Sequence, residues 1–333
     1  VNPDGFTADL HRKPEVLRRL AAALAAGNPW TAVIPRDVER VVLLGMGSSA
    51  YAGSVAAARM RARGLVASSE LASSRLLPAW GPGTLVVATS ATGGSVETLD
   101  ALSRVSEGAR TIALTNTPGS ELTERCGGVV TLDAEQEVGG VACRSYQHTL
   151  ALLMALECAL TGVDTATLAE SVNAAADASA HLLATESDWR PVVSELLLGP
   201  TGTHIAAPAH RFCSAQQGAL MLREGPRLPA VGCETGDWSH VDVYLTKTTD
   251  YRLLVFAGSE WEAQLAEWTT ARGSTVVGVG GSVPGASHDV RYPGDSDDDV
   301  RLLSEVLVPE LVAARAWQAA YFASSLTPPE PTG

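Results

Sequence analysis

The hexapeptide Ser90-Ala91-Thr92-Gly93-Gly94-Ser95 follows the apolar run Thr84-Leu85-Val86-Val87-Ala88 and precedes the amphipathic stretch Val96-Glu97-Thr98-Leu99-Asp100-Ala101-Leu102. The order reads as strand, loop and helix start. A loop of this kind suits an anion: hydroxyls and backbone N–H groups converge on it, glycines let the backbone come close, and the helix N-terminus adds partial positive charge. A phosphate is the expected guest. A second glycine turn, Gly45-Met46-Gly47-Ser48-Ser49-Ala50, also lies between an apolar run and helical sequence. By itself, with Glu70 beyond the next possible strand, it could be a dinucleotide fingerprint. A dinucleotide fold has no need of three clustered hydroxyls after its next parallel strand, so the pair of loops favours a phosphosugar over a nicotinamide cofactor.

The elements that must hold these loops are legible as alternating patterns. Apolar runs at 41–44, 85–88, 111–114 and 129–132 are separated by alanine- and leucine-rich helical stretches, which implies a parallel sheet covered by helices. A leading helix is expected over 8–26, opened by Lys13-Pro14-Glu15. Helices are expected over 146–161 and 165–184. Strands then recur at 203–207, 252–256, 275–279 and 289–292, before one long closing helix over 298–322. The expectation is an α/β protein of two similar halves, visible as pattern and not as matching residues.

At 333 residues and 46% apolar composition the chain can bury a core of two-domain size. A net charge of −13 disfavours nucleic acid and anionic lipid as partners. There is no apolar run of membrane-spanning length and no apolar leader segment, so the expectation is a soluble, cytoplasmic protein. Five dispersed cysteines without a C-x-x-C pair argue against a disulfide framework or a zinc knuckle. His204 and His210 lack the context of a metal site, and no metal or cofactor is expected. The acidic run 295–299 reads as a cap for the final helix, and there is no G-x-S-x-G elbow. Trp80, Trp238 and Trp317 read as core or interface residues, although Trp238 could line a sugar site.

Together these motifs resemble the SIS (sugar isomerase) domain. Gly47-Ser48-Ser49 is similar to that family's first loop, and Ser90-x-Thr92-Gly93-x-Ser95-x-Glu97-Thr98 to its S-x-S-G-x-T-x-E-T signature. Glu137 followed by Val141-Ala142-Cys143 resembles the E-x-x-V-A-S segment of double-SIS proteins. The resemblance is nearest in arrangement to the isomerase half of glucosamine-6-phosphate synthases and covers about residues 8–322. It implies two SIS-type three-layer αβα subdomains with parallel sheets. The corresponding organisation is a helical segment over 1–28, a first SIS domain over 29–165, a helical connection over 166–190, a second SIS domain over 191–323 and a disordered tail over 324–333.

The resemblance also implies roles. Gly47, Ser48, Ser49, Ser90, Thr92, Gly93 and Ser95 would bind the substrate phosphate. Gly218-Ala219-Leu220-Met221-Leu222-Arg223-Glu224 resembles the family's E-G-A-L-K-L-K-E helix, which puts Glu224 at the base that moves a proton between C1 and C2 of an open-chain sugar. Sixteen residues on, Gly236-Asp237-Trp238-Ser239-His240 resembles G-E-x-x-H, which puts His240 at the ring-opening residue. Unaided, Glu224 reads as a solvated carboxylate before Gly225-Pro226 and His240 as a loop histidine. The chemistry is nevertheless apt, since a partly desolvated carboxylate suits proton abstraction beside a carbonyl and histidine titrates near neutrality. Val141, Cys143 and Arg144 are further candidates for substrate contact, with Arg144 a new charge that could instead pair with Glu137 or lie in solvent.

Departures from the family bear on the chemistry. Gln217 and Met221 stand where the family has glutamate and lysine, and Ala207-Pro208-Ala209 replaces a glycine loop. The C-terminal segment carries no counterpart of the family's active-site lysine. No glutaminase domain is seen, and Cys143 is no substitute for its nucleophile, so synthesis from glutamine is not expected. The resemblance thus points to a phosphosugar aldose–ketose isomerase, or an isomerase, deaminase or deglycase of aminosugar phosphates, acting as a homodimer in which His240 serves the neighbouring subunit. The alternative is a non-catalytic sugar-phosphate sensor or assembly protein.

Overall fold

The structure is a computed structural model that describes residues 2–326. Helices α1 (Pro3–His11) and α2 (Lys13–Ala26) precede β1 (Arg40–Gly45), α3 (Ser48–Ala62), β2 (Val66–Leu71), β3 (Thr84–Thr89), α4 (Val96–Ser103), β4 (Arg110–Thr115), α5 (Glu121–Arg125) and β5 (Gly128–Thr131). Helices α6 (Arg144–Thr161), α7 (Ala166–Ala184) and α8 (Glu186–Leu197) lead to β6 (Thr203–Ala207), α9 (Phe212–Glu224), β7 (Ala230–Glu234), β8 (Arg252–Phe256), α10 (Glu262–Ala271), β9 (Thr275–Val279) and β10 (His288–Val290). The described chain closes with α11 (Asp298–Ser304) and α12 (Leu307–Leu326).

The strands form two five-stranded parallel sheets, ordered β2-β1-β3-β4-β5 and β7-β6-β8-β9-β10. The two sheets therefore share one winding, and each reverses its strand order beside its first strand. Both faces of each sheet are covered, which explains why the central strands are mostly apolar and buried. Val41 and Leu43 enter the core that links the two halves, while Val42 and Leu44 enter a smaller core with Trp80 and Val86 on the opposite face. Between the sheets lies α6, buried over its first fourteen residues and packed on α2, α3, α7 and α11. No helix among the described residues is long and apolar enough to cross a membrane.

Several expected elements differ in detail. The leading helix breaks at Arg12 into α1 and α2, because Pro14 cannot supply the backbone N–H that a continuous helix needs. Residues 298–322 form two helices separated at Glu305 and Val306. Asp297 caps the first of these, its carboxylate accepting from the amides of Asp299 at 2.9 Å and Val300 at 3.0 Å. The domain boundary expected at residue 190 falls inside α8. Ser324–Leu326, expected to be disordered, continue α12, and the rest of that tail lies outside the described residues. Trp238 is fully buried and donates to the Tyr251 hydroxyl at 2.8 Å, so it is a core residue and not a sugar platform.

Candidate functional site

In a parallel sheet, loops leaving the carboxyl ends of two adjacent strands toward opposite sides leave a crevice between them. Here β1 and β3 are hydrogen-bonded neighbours, and their loops are Gly45–Ser49 and Ser90–Ser95. Ser48 and Ser49 open α3, while Gly47 precedes it with φ +49°. Ser95 caps α4, its hydroxyl accepting from the Thr98 amide at 3.3 Å and lying 3.1 Å from a Glu97 carboxylate oxygen. Ser90 is almost buried, whereas Thr92 is exposed, its hydroxyl accepting weakly from the Gly94 amide at 3.3 Å. Gly93 has φ +67°, and a Cβ there would overlap the Ser120 side chain, so only glycine lets this turn close against the loop after β4. The two helix starts point N–H groups at the crevice, as an anion requires.

A cleft of about 870 Å³ opens beside these loops, along the carboxyl ends of β3, β4 and β5. Its walls bring together Thr92, Asn116, Glu135, Glu137, Val141 and Glu224. Glu224 is the only lining side chain contributed by the second half among the described residues. It ends α9 with its side chain still open to solvent on one side; partial burial against the wall and the like charge of Glu137 both raise its pKa above the ordinary glutamate range.

Glu137 is held in place by the start of α6. One carboxylate oxygen accepts from the amides of Cys143 at 2.7 Å, Arg144 at 2.7 Å and Ser145 at 3.1 Å, and the other from the Ser145 hydroxyl at 2.7 Å. This uses the orphan donors of a helix N-terminus and favours negative charge there. Glu135 is gripped by Arg12 at 2.8 Å and by Arg19, whose hydrogen bonds outweigh burial and bring its pKa down to about 2. Deeper in α6, His148 Nδ1 donates to the Leu132 carbonyl at 2.7 Å, supporting the loop that enters the cleft.

The structure does not unite all the sequence-predicted site residues. Thr92, Val141 and Glu224 line the cleft, with Ser90, Gly93 and Ser95 on the adjoining loop and Gly47, Ser48 and Ser49 on the neighbouring one. Cys143 and Arg144 do not reach it. Cys143 is fully enclosed, and Arg144 is buried with its guanidinium 3.1 Å from Asp9 and 2.7 Å from the Gln136 carbonyl. Its side chain thus pairs with neither Glu137 nor solvent, and a substrate cannot touch it without opening the wall. His240 sits exposed after a 3-10 turn over Asp237–Ser239 and is not among the cleft residues of its own chain. Around it lie exposed Val241, Tyr244 and Leu245.

Sequence reasoning missed Asn116, Asp133, Glu135 and Gln136 as cleft residues. Asn116 ties the loops after β4 and β5 together, donating to the Glu135 carbonyl at 2.6 Å and accepting from the Ala134 amide at 2.9 Å. Asp133 and Glu135 have φ of +51° and +57°, an uncommon conformation for side-chain-bearing residues. The asparagine directly after an apolar strand was the one available signal.

The equivalent crevice of the second sheet is occupied by protein. Arg211, which follows β6, donates to the Ala257 carbonyl at the end of β8 and pairs with buried Glu305, while Arg301 donates to the Gly280 carbonyl beyond β9 at 3.0 Å.

Residues 36–159 match the family model described as SIS domain. A glutamine–fructose-6-phosphate aminotransferase (isomerizing) of Pyrobaculum aerophilum is 26% identical over 333 residues, covering 96% of this chain and 54% of its own length. The chain thus spans about half the length of that curated relative. Among solved structures, the C-terminal domain of glucosamine-fructose-6-phosphate aminotransferase from Francisella tularensis superposes with a TM-score of 0.79 at 14% identity, over 94% of this chain and 96% of that one. Glucosamine-6-phosphate deaminase from Thermotoga maritima superposes with a TM-score of 0.72 at 18% identity, over 95% and 94%. The fold expected from sequence, paired α/β units with parallel sheets, is the fold these proteins share.

Proposed function

We propose, on the premise that residues 36–159 form a SIS domain, that this protein is a phosphosugar aldose–ketose isomerase, or an isomerase or deaminase of an aminosugar phosphate. The observation that carries this reading is Glu224, a carboxyl from the second half set in the cleft beside the hydroxyl loops, where partial burial and the charge of Glu137 raise its pKa above the ordinary glutamate range. A base poised nearer the working pH exchanges protons more readily with a carbon acid.

In this reading the phosphate is held by the hydroxyls of Ser48, Ser49, Ser90, Thr92 and Ser95 and by the backbone at Gly47 and Gly93. The open-chain sugar then extends along the cleft toward Glu224. Glu224 removes the proton from C1 or C2 and returns it to the neighbouring carbon through an enediol, or through an enolamine for an aminosugar. His240 moves the ring-oxygen proton during ring opening. Because His240 is exposed and away from its own cleft, it serves in this reading the cleft of a second copy in a homodimer, with Val241, Tyr244 and Leu245 beside it at the contact.

A second reading, a non-catalytic sugar-phosphate sensor, draws on Gln217 and Met221. Both are buried, and Gln217 Nε2 donates to the Ala142 carbonyl at 2.9 Å, leaving no charged group there. Incubation with fructose 6-phosphate and glucosamine 6-phosphate in D2O, followed by NMR, separates the two. Deuterium at C1 or C2, lost about a hundredfold or more in Glu224→Gln with affinity nearly unchanged, is the expected result. Binding without exchange would establish the sensor.

A further inference from the structure

The wall that carries Glu137 is fastened from outside the sheet by the N-terminal helix. Asp9, buried on α1, accepts from the amides of Val138 at 3.2 Å and Gly139 at 2.7 Å, and its carboxylate lies 3.1 Å from the Arg144 guanidinium. The Gly139 carbonyl in turn accepts from the Asn2 amide at 3.1 Å. Helix and loop meet backbone to backbone, because a Cβ on Gly139 would stand 2.5 Å from the Phe6 backbone and one on Gly5 2.9 Å from the Val138 carbonyl. On its other side α1 packs against α12, with Phe6 against Trp317 and Gln318 donating to Asp4 at 2.8 Å. One short helix therefore grips both a cleft loop of the first half and the last helix of the second.

We infer that α1 is a clamp and Asp9 a positioning residue: by fixing Val138 and Gly139 it holds Glu137 and the Gly140–Ala142 wall opposite Glu224. The inference rests on the function proposed above for its kinetic consequence, but the clamp itself does not. Glu137 is fixed by its side chain to α6 and by the following peptides to Asp9. A buried carboxylate satisfying two adjacent amides leaves that segment one arrangement, and losing it leaves buried donors unpaired. The phosphate loops lie on other strands and should not feel the change. A displacement of about 1 Å at a reacting centre is enough to cost about a hundredfold in rate.

The test uses the full chain with Asp9→Asn and, as an independent route to the same displacement, Gly139→Ala. Amide hydrogen exchange of a peptide spanning 137–143 needs no substrate. It is expected to quicken by about tenfold in both variants, the equivalent of one lost hydrogen bond. Turnover is expected to fall by tenfold to about a hundredfold in kcat, while the dissociation constant for inorganic phosphate stays within about twofold. Unchanged exchange in both variants overturns the clamp. Quickened exchange with wild-type kcat overturns the positioning role. An inactive wild-type protein whose exchange still quickens in both variants overturns the proposed enzyme and leaves the clamp standing.

Discussion

His148 couples the stability of the fold to pH. It lies fully buried in α6, and since a carbonyl can only accept, Nδ1 carries the hydrogen that bonds Leu132. Burial penalises the imidazolium more than the Leu132 carbonyl, Glu137 and Asp133 favour it, so the pKa falls from an ordinary 6.5 to about 4. The unfolded chain takes up a proton near pH 6.5 and the folded chain does not until about pH 4. Within that window the unfolded state binds more protons, so the stability His148 contributes is complete above pH 6.5 and is lost as pH falls toward 4. At 1.36 kcal/mol per pH unit the loss is about 3 kcal/mol, a large part of a typical folding free energy. Asparagine at 148 keeps a side-chain N–H at the same reach without titrating. Urea unfolding followed by circular dichroism at pH 7, 6, 5 and 4.5 in both proteins isolates the effect, because other groups titrate alike in each. Between pH 7 and 4.5 the wild type should lose about 2 kcal/mol more than His148→Asn, the remainder falling below pH 4.5. Parallel stability curves would refute the reasoning.

Two further outcomes concern packing. Lys13 and Glu310 form a fully buried ion pair joining α2 to α12, so Lys13→Met, which strands the carboxyl, should cost about 3 kcal/mol, and Lys13→Met/Glu310→Leu should recover most of it; a single variant losing under about 1 kcal/mol in urea titration would contradict this. Gly93→Ala should lower stability by about 1–3 kcal/mol through its left-handed turn and its overlap with Ser120, and adding Ser120→Gly should restore only the part due to overlap; calorimetry of the three variants decides.

What was legible in the sequence follows the physics of burial. Strands β1, β3, β4, β6, β8 and β9 are buried along most of their length and show as mostly apolar runs, found within a residue or two of their ends. Strand β2 is an edge strand reading Val-Ala-Ser-Ser-Glu-Leu, with half its residues polar, and β7 is a short edge strand following α9 closely, so neither stood out. The hydroxyl loops were visible because glycine and serine cluster there for a geometric reason. Glu224 became a candidate only through family resemblance, since nothing local distinguishes it from a surface carboxylate. Asp133, Glu135 and Asp9 stayed hidden because their positions depend on backbone turns and on a contact spanning about 130 residues of chain.

The Arg211 plug in the second sheet has a bearing on ancestry. Two halves wound alike are what the doubling of one ancestral gene would leave, and such a tandem would begin with two open mouths. In this chain one of those mouths is filled by the Arg211 guanidinium and the other is open. Glu224, carried by the stoppered half yet lining the open mouth of the other, makes the two halves parts of one cleft. By the same token the two halves are not interchangeable: the open mouth of the first is completed by a side chain of the second, and the mouth of the second is filled from within.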